Sequence, residues 1–126
     1  MSPELEQKLY EDFPTLFANR ESKGSCMAFG VECGDGWHGI IRSACSEIAA
    51  REKHTGSPSF QFTQVKEKWG ALRLYYHGGD DYCEGVIAMA EAVSAVTCEQ
   101  CGSAGERRGG GWIMTLCDAC SEKVKT

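Results

Sequence analysis

Four cysteines near the C-terminus constrain this 126-residue chain more than any other feature. Cys98 and Cys101 form one C-x2-C pair and Cys117 and Cys120 a second, with fifteen residues between them. A two-residue gap lets both thiolates of a pair reach one ion from a single tight turn. Four soft thiolates together satisfy the tetrahedral preference of Zn²⁺. Such a set fills the coordination sphere and leaves no position for water, so one structural zinc is expected rather than a catalytic one. Two disulfides or a C-x-x-C redox pair are the alternatives. Both are disfavoured, because no thioredoxin-like strand–helix setting surrounds either pair and cytosolic disulfides are rare.

The residues between the pairs agree with a finger. Gly102-Ser103-Ala104-Gly105 reads as the loop leaving a knuckle. Glu106-Arg107-Arg108 and Trp112 to Leu116 read as two short strands turned by Gly109-Gly110-Gly111. Cys117-Asp118-Ala119-Cys120 then opens a terminal helix, whose N-terminus favours thiolate charge. Knuckle, hairpin and a ligand pair on a helix start resemble a treble-clef finger. A zinc ribbon, with both pairs on knuckles, is the near alternative. The other four cysteines, Cys26, Cys33, Cys45 and Cys83, are scattered and are expected to be buried free thiols. A second metal site from Cys26, Cys33 and His38 is the alternative to buried thiols.

Upstream, the pattern is that of a mixed domain. Residues 3–10 read as a short helix capped by Ser2, with Pro14 ending it, and residues 26–33 read as a strand. Asp35 is a candidate cap for a helix over residues 37–53, which carries Trp37, Ile40, Ile41, Ala44, Cys45, Ile48 and Ala49 on one stripe. Alternation in residues 60–65 and 72–76 predicts a hairpin with Trp69-Gly70 at its turn. Asp81-x-x-Glu84 resembles a capping box for a second helix running to about Val96, with a broad apolar surface. The predicted architecture is α+β: a small antiparallel sheet packed by two main helices over residues 1–97, with the four-cysteine finger of residues 98–126 docked rigidly on it.

Composition limits the function. The net charge is −5, which disfavours a generic polyanion binder. No apolar run approaches a membrane span, and the acidic start lacks the pattern of a secretion signal, so no membrane role and a cytoplasmic location are expected. Charge is nevertheless uneven: residues 36–77 carry six basic and three acidic side chains, and residues 78–97 carry none and four. Lys66, Lys68, Trp69 and Arg73, extended by Arg107 and Arg108 on the finger, form a candidate patch for stacking a base and contacting phosphate. A solvated sheet face explains most of the same residues. Cys33-Gly34-Asp35-Gly36-Trp37-His38 places thiol, carboxylate and imidazole together. Catalytic partners usually come from separate parts of a fold, so Asp35 as cap and His38 as an exposed first-turn residue are preferred, and no catalytic residue is assigned.

Residues 65–76 (VKEKWGALRLYY), the Gly-Gly-Asp-Asp turn, the following helix and TCEQCG…GWIMTLCDAC resemble a group of small uncharacterised proteins carried by bacteriophages and prophages. The resemblance covers roughly the last 65 residues. It implies that the four cysteines are zinc ligands and that the setting is a bacterial host cytoplasm. It also implies an accessory role: binding a host macromolecule, in the first place a protein, including components of host defence. No catalytic residue transfers with it, so the expected role is non-enzymatic. Because an acidic domain can occupy a site meant for nucleic acid, inhibition of a defence or regulatory complex is the sharper expectation. The runner-up is a nucleic-acid-binding or transcription-regulating zinc protein.

Overall fold

Burial of one stripe on each helix against a small sheet organises the chain, and the computed structural model describes residues 1–125. Helix α1 spans Pro3–Asp12. Ser2 holds its N-cap position, but only the backbone carbonyl engages, accepting from the Glu6 amide at 3.0 Å. The expected strand over residues 26–33 shortens to β1, Val31–Glu32, because Met27–Phe29 coils into a 3-10 turn. Gly30 closes that turn at φ 76°, a conformation that strand residues do not adopt. Glu6 ties α1 to β1 by accepting from the Val31 amide at 2.5 Å.

Helix α2 spans His38–Thr55 and follows a 3-10 turn at Asp35–Trp37. Its predicted stripe is buried through Trp37, Ile41, Ala44, Cys45 and Ile48. Asp35 does not cap it; the carboxylate instead accepts from the Ser2 amide at 2.7 Å. The stripe extends further, to a buried Glu52, whose carboxylate accepts from the amides of Ser59 and Phe60 at 2.6 and 2.9 Å. Those bonds satisfy the burial of a charge and fix where the next strand begins.

Strands β2, Gln61–Lys68, and β3, Ala71–His77, form the predicted hairpin. The sheet order is β1-β2-β3, with β2 and β3 antiparallel. β1 joins β2 in parallel, so the sheet is mixed rather than purely antiparallel. A bulge between Phe62 and Gln64 frees the Thr63 carbonyl to accept from Cys26, at 2.6 Å.

Helix α3 spans Asp81–Ser94. Its cap is Asp80 rather than Asp81, the Asp80 side chain accepting from the Cys83 amide at 3.1 Å. α3 also covers the free edge of β3: the Ser94 hydroxyl accepts from the Leu72 amide and Glu91 from the Leu74 amide, both at 2.8 Å. Edge amides that would otherwise invite another strand are thereby occupied. The broad apolar surface expected of α3 is only half used. Ile87 and Ala90 are buried, whereas Met89, Val93 and Val96 are exposed.

One ion pair links the α1 end to α2: Arg42 donates to Asp12 at 2.6 Å. That bond, with Lys8 adding attraction, holds the Asp12 carboxyl below its ordinary 3.8. A depressed carboxyl contributes stability that is present above the unfolded value and is lost as pH falls through the folded one. Carboxyl NMR titration should therefore place Asp12 below 3.8, and Arg42→Gln should move it back up towards that value. An unmoved Asp12 in the variant would mean that the pair does not hold the carboxylate.

Candidate metal centre

Cys98 follows α3 by way of a bridge between Thr97 and Ala104. The Cys98 amide donates to the Ser103 carbonyl at 2.7 Å, and the Gly102 amide donates back to the Cys98 carbonyl at 3.0 Å. This is a knuckle, and it turns Cys98 and Cys101 to one side. Strands β4, Glu106–Arg108, and β5, Met114–Leu116, form an antiparallel hairpin. Helix α4, Asp118–Lys125, starts directly after Cys117. The Cys120 amide donates to the Cys117 sulfur at 3.4 Å, so Cys117 caps the helix through its thiol. Knuckle, hairpin and helix start follow one another as in a treble clef; a ribbon would need a second knuckle.

The four Sγ atoms of Cys98, Cys101, Cys117 and Cys120 lie within 4.8 Å of one another. Cys101 and Cys117 are 3.6 Å apart. A disulfide needs about 2.05 Å, whereas the edge of a tetrahedron with zinc–sulfur bonds of about 2.3 Å is about 3.8 Å. The spacing fits an ion between the sulfurs, and the donor set is the soft one that zinc takes.

Their electrostatics agree. Burial works against ionisation of Cys98, but the backbone amides of Cys117, Cys101 and Gln100 outweigh it and bring its pKa below the ordinary 9.0. The hydroxyl and amide of Ser103 draw Cys101 down to about 6. Cys120, hydrogen-bonded to Cys117 and partly desolvated, is pushed up to about 12. Four thiolates this close repel one another and do not all ionise without a neighbouring cation. A dication removes that conflict.

Of the remaining cysteines, Cys33, Cys45 and Cys83 are buried as expected, but Cys26 is exposed. Burial pushes Cys33 and Cys45 up to about 12, which keeps both protonated and poorly nucleophilic. Among the described residues the four finger cysteines are the only cluster placed to hold a metal, so Cys26, Cys33 and His38 do not form a second one. His38 is half-buried rather than exposed, and burial, followed by Arg42, lowers its pKa.

The Cys33–His38 segment serves the finger instead. The Gly34 amide donates to the Glu99 carboxylate at 3.0 Å, and the Gly36 amide to the Glu99 carbonyl at 2.7 Å. The Trp37 indole donates to the Thr97 carbonyl at 2.9 Å. A Cβ on Gly36 would lie 2.2 Å from the Cys98 carbonyl oxygen, so only glycine allows the knuckle this close. Gly34-Asp35-Gly36 reads locally as a turn, and nothing in it names a partner some sixty residues away.

The β2–β3 turn meets the other side of the finger. Trp69 and Gly70 both have positive φ, 57° and 81°, as a type I′ turn requires. For a bulky residue such as Trp69 this conformation is strained, by about 1–3 kcal/mol. The turn carbonyls supply an offset: Thr115 donates its hydroxyl to the Gly70 carbonyl at 2.5 Å, and the Arg107 guanidinium donates to the Trp69 carbonyl.

These contacts redraw the predicted basic patch. Arg107 is committed to docking, and Arg108 is folded back onto the Leu116 carbonyl, Asp118 and Glu106, so it adds no free charge. Lys66 and Arg73 are cross-strand partners, and Lys68 is exposed near the turn. The Trp69 indole stays 59% exposed, and Trp112 on the finger's hairpin loop 75%. Trp112 was not singled out as a binding residue by the sequence, where a lone tryptophan before a strand carries no distinctive signal.

Comparison with protein-family models, with curated proteins and with solved structures returns no match. The zinc-finger-like cluster is therefore supported by its own geometry, and no family or phage homologue is identified. No helix among the described residues is long and apolar enough to cross a membrane.

Proposed function

We propose that this chain is a non-enzymatic protein with one structural zinc, acting as a phage-type accessory protein that binds a host protein. The four-sulfur cluster carries the zinc part of the reading. Four thiolates saturate a tetrahedral ion, so Cys98, Cys101, Cys117 and Cys120 would hold zinc with no position left for substrate, and its contribution would be folding energy. Support for a binding role comes from the surface: Trp69, Met89, Val96 and Trp112 are all large, apolar and exposed. The phage setting, and a host defence or regulatory complex as the target, extend the resemblance of residues 65–76 and of the finger.

Native mass spectrometry of protein purified without added metal, from nuclease-treated lysate, tests both halves. The expected result is the mass of one chain plus one zinc ion in place of two protons, together with a stoichiometric host protein. Masses lighter by pairs of hydrogens, with no metal, would replace the zinc reading with disulfides.

A second reading, nucleic-acid binding, is favoured by one observation: the exposed Trp69 indole sits on the turn that follows Lys66 and Lys68, with Arg73 across the sheet. Fluorescence polarisation with single-stranded RNA and DNA at increasing salt tests it. A steep salt slope, reduced in Lys66→Ala and Arg73→Ala, would favour it over the protein-binding reading.

A further inference from the structure

The unused half of α3 and the neighbouring face of α2 enclose a groove of about 660 Å³, lined among others by Gly39, Ile40, Tyr82, Gly85, Met89 and Val93. It runs along α2 from Gly39 to Glu47 and along α3 from Asp81 to Val93, about 12 Å and 18 Å at the helical rise. That length matches two to three turns of another helix.

Two features show that the fold itself does not need this shape. Met89 is 65% exposed on a helix whose opposite side packs fully. Gly85 lies inside α3, where glycine is unfavourable by about 1 kcal/mol relative to alanine, and Gly39 lies in the first turn of α2. Neither would bring a Cβ within 4 Å of any neighbour. The glycines therefore relieve no internal crowding; they leave shallow walls against which another backbone can come close.

Charge selects the occupant. The carboxylates in the lining are Glu47 and Asp81, and no lysine or arginine lines the groove. α3 carries Asp81, Glu84 and Glu91 and no basic residue. The nearest α2 cations are already paired, Arg42 with Asp12 and Arg51, which stands 5.1 Å from the centre of the Tyr82 ring, with Asp80. A second copy would set acid against acid. A small apolar ligand would find few polar groups to orient it, since the Tyr82 hydroxyl is already bonded to Glu47 at 2.7 Å.

We infer that the α2–α3 groove docks an amphipathic helix of a protein partner, with apolar residues at i, i+3/i+4 and i+7 and lysine or arginine along its flanks. This inference rests on the protein-binding reading above and names its surface. Met89 and Val93 meet the apolar stripe, and Glu47 and Asp81 face the flanking cations.

The test uses the full zinc-loaded chain and two synthetic amphipathic helices of about fourteen residues, long enough to be helical when docked. One is built of Leu and Lys, the other of Leu and Glu, and binding is read by calorimetry. The Leu/Lys helix should bind at least about tenfold tighter than the Leu/Glu helix, a difference of about 1.4 kcal/mol. Met89→Glu should weaken it by a similar factor with the melting temperature unchanged. That variant adds negative charge, so attraction to an acidic surface alone would strengthen binding instead, and that result would overturn the groove. Val93→Glu repeats the test should Met89→Glu melt early. Equal binding of both helices would overturn the charge selection. A wild-type dimer in sedimentation that Met89→Glu converts to a monomer would assign the groove to a second copy. A host protein captured equally by wild type and Met89→Glu would overturn the groove while leaving the protein-binding reading intact.

Discussion

Cys98→Ser should release the zinc proposed for the four-thiolate site and unfold the finger while the rest of the chain stays ordered. The finger has almost no core of its own. Its buried cluster is Cys98, Leu116 and Cys120, with Met114 and Cys117 packed beside them, and three of those five belong to the four-sulfur cluster. So small a cluster cannot offset the entropy of ordering some twenty-eight residues at about 1 kcal/mol or more each. Binding of a structural zinc supplies on the order of 10 kcal/mol in comparable peptides. The body has a separate core that includes Leu9, Trp37, Ile48, Phe62 and Leu72 and does not depend on the ion. Hydrogen exchange should show amides from Cys98 onward losing protection, with α2 and β2 largely retaining theirs. The body should still lose a few kcal/mol, because bonds from Gly34, Gly36 and Trp37 to the knuckle go with the finger. Retained stoichiometric zinc in a Cys98→Ser/Cys117→Ser variant would refute the site.

Gly36→Ala should cost about 3 kcal/mol or more. The added carbon would stand 2.2 Å from the Cys98 carbonyl oxygen and 2.6 Å from the Glu99 carbonyl carbon. Both are backbone atoms held by the knuckle's own hydrogen bonds, so no rotamer change relieves the clash. The loop must move, and the 2.7 Å bond from Gly36 to Glu99 breaks with it. Gly85→Ala is the control with the opposite sign. It lies within α3 with open space around the added carbon, and alanine should stabilise it by about 1 kcal/mol. Urea unfolding of the two variants beside wild type reads both. A Gly36→Ala chain within about 0.5 kcal/mol of wild type would mean that the finger is not seated on this loop.

The candidate site was legible in the sequence because its chemistry is local. Each C-x2-C pair is closed by its own turn, and the residues between the pairs carry the glycines and alternation that a hairpin needs. The same holds for α2, where seven apolar residues at helical spacing could only form one stripe. Local rules failed where a distant partner intervened. Asp35 has the chemistry of a cap, yet Ser2 takes its carboxylate. Arg107 and Arg108 look like free cations in a string of letters, but a turn carbonyl and a carboxylate claim them. The strand over residues 26–33 is cut to Val31–Glu32, because a 3-10 turn closed by the positive φ of Gly30 takes its first part.

Legible from the chain alone are the α+β class, the β2–β3 hairpin and the four-cysteine cluster, all set by periodicity or by spacing within some twenty residues. Only the tertiary structure decided what Cys33–His38 is for, which cations remain free, and that α3 leaves half its apolar surface uncovered. Side-chain periodicity records that a face is apolar, not how much of it a neighbour covers. Hydrogen-bond partners some sixty residues apart leave no local pattern, because the fold brings them together only after each segment has taken its own shape.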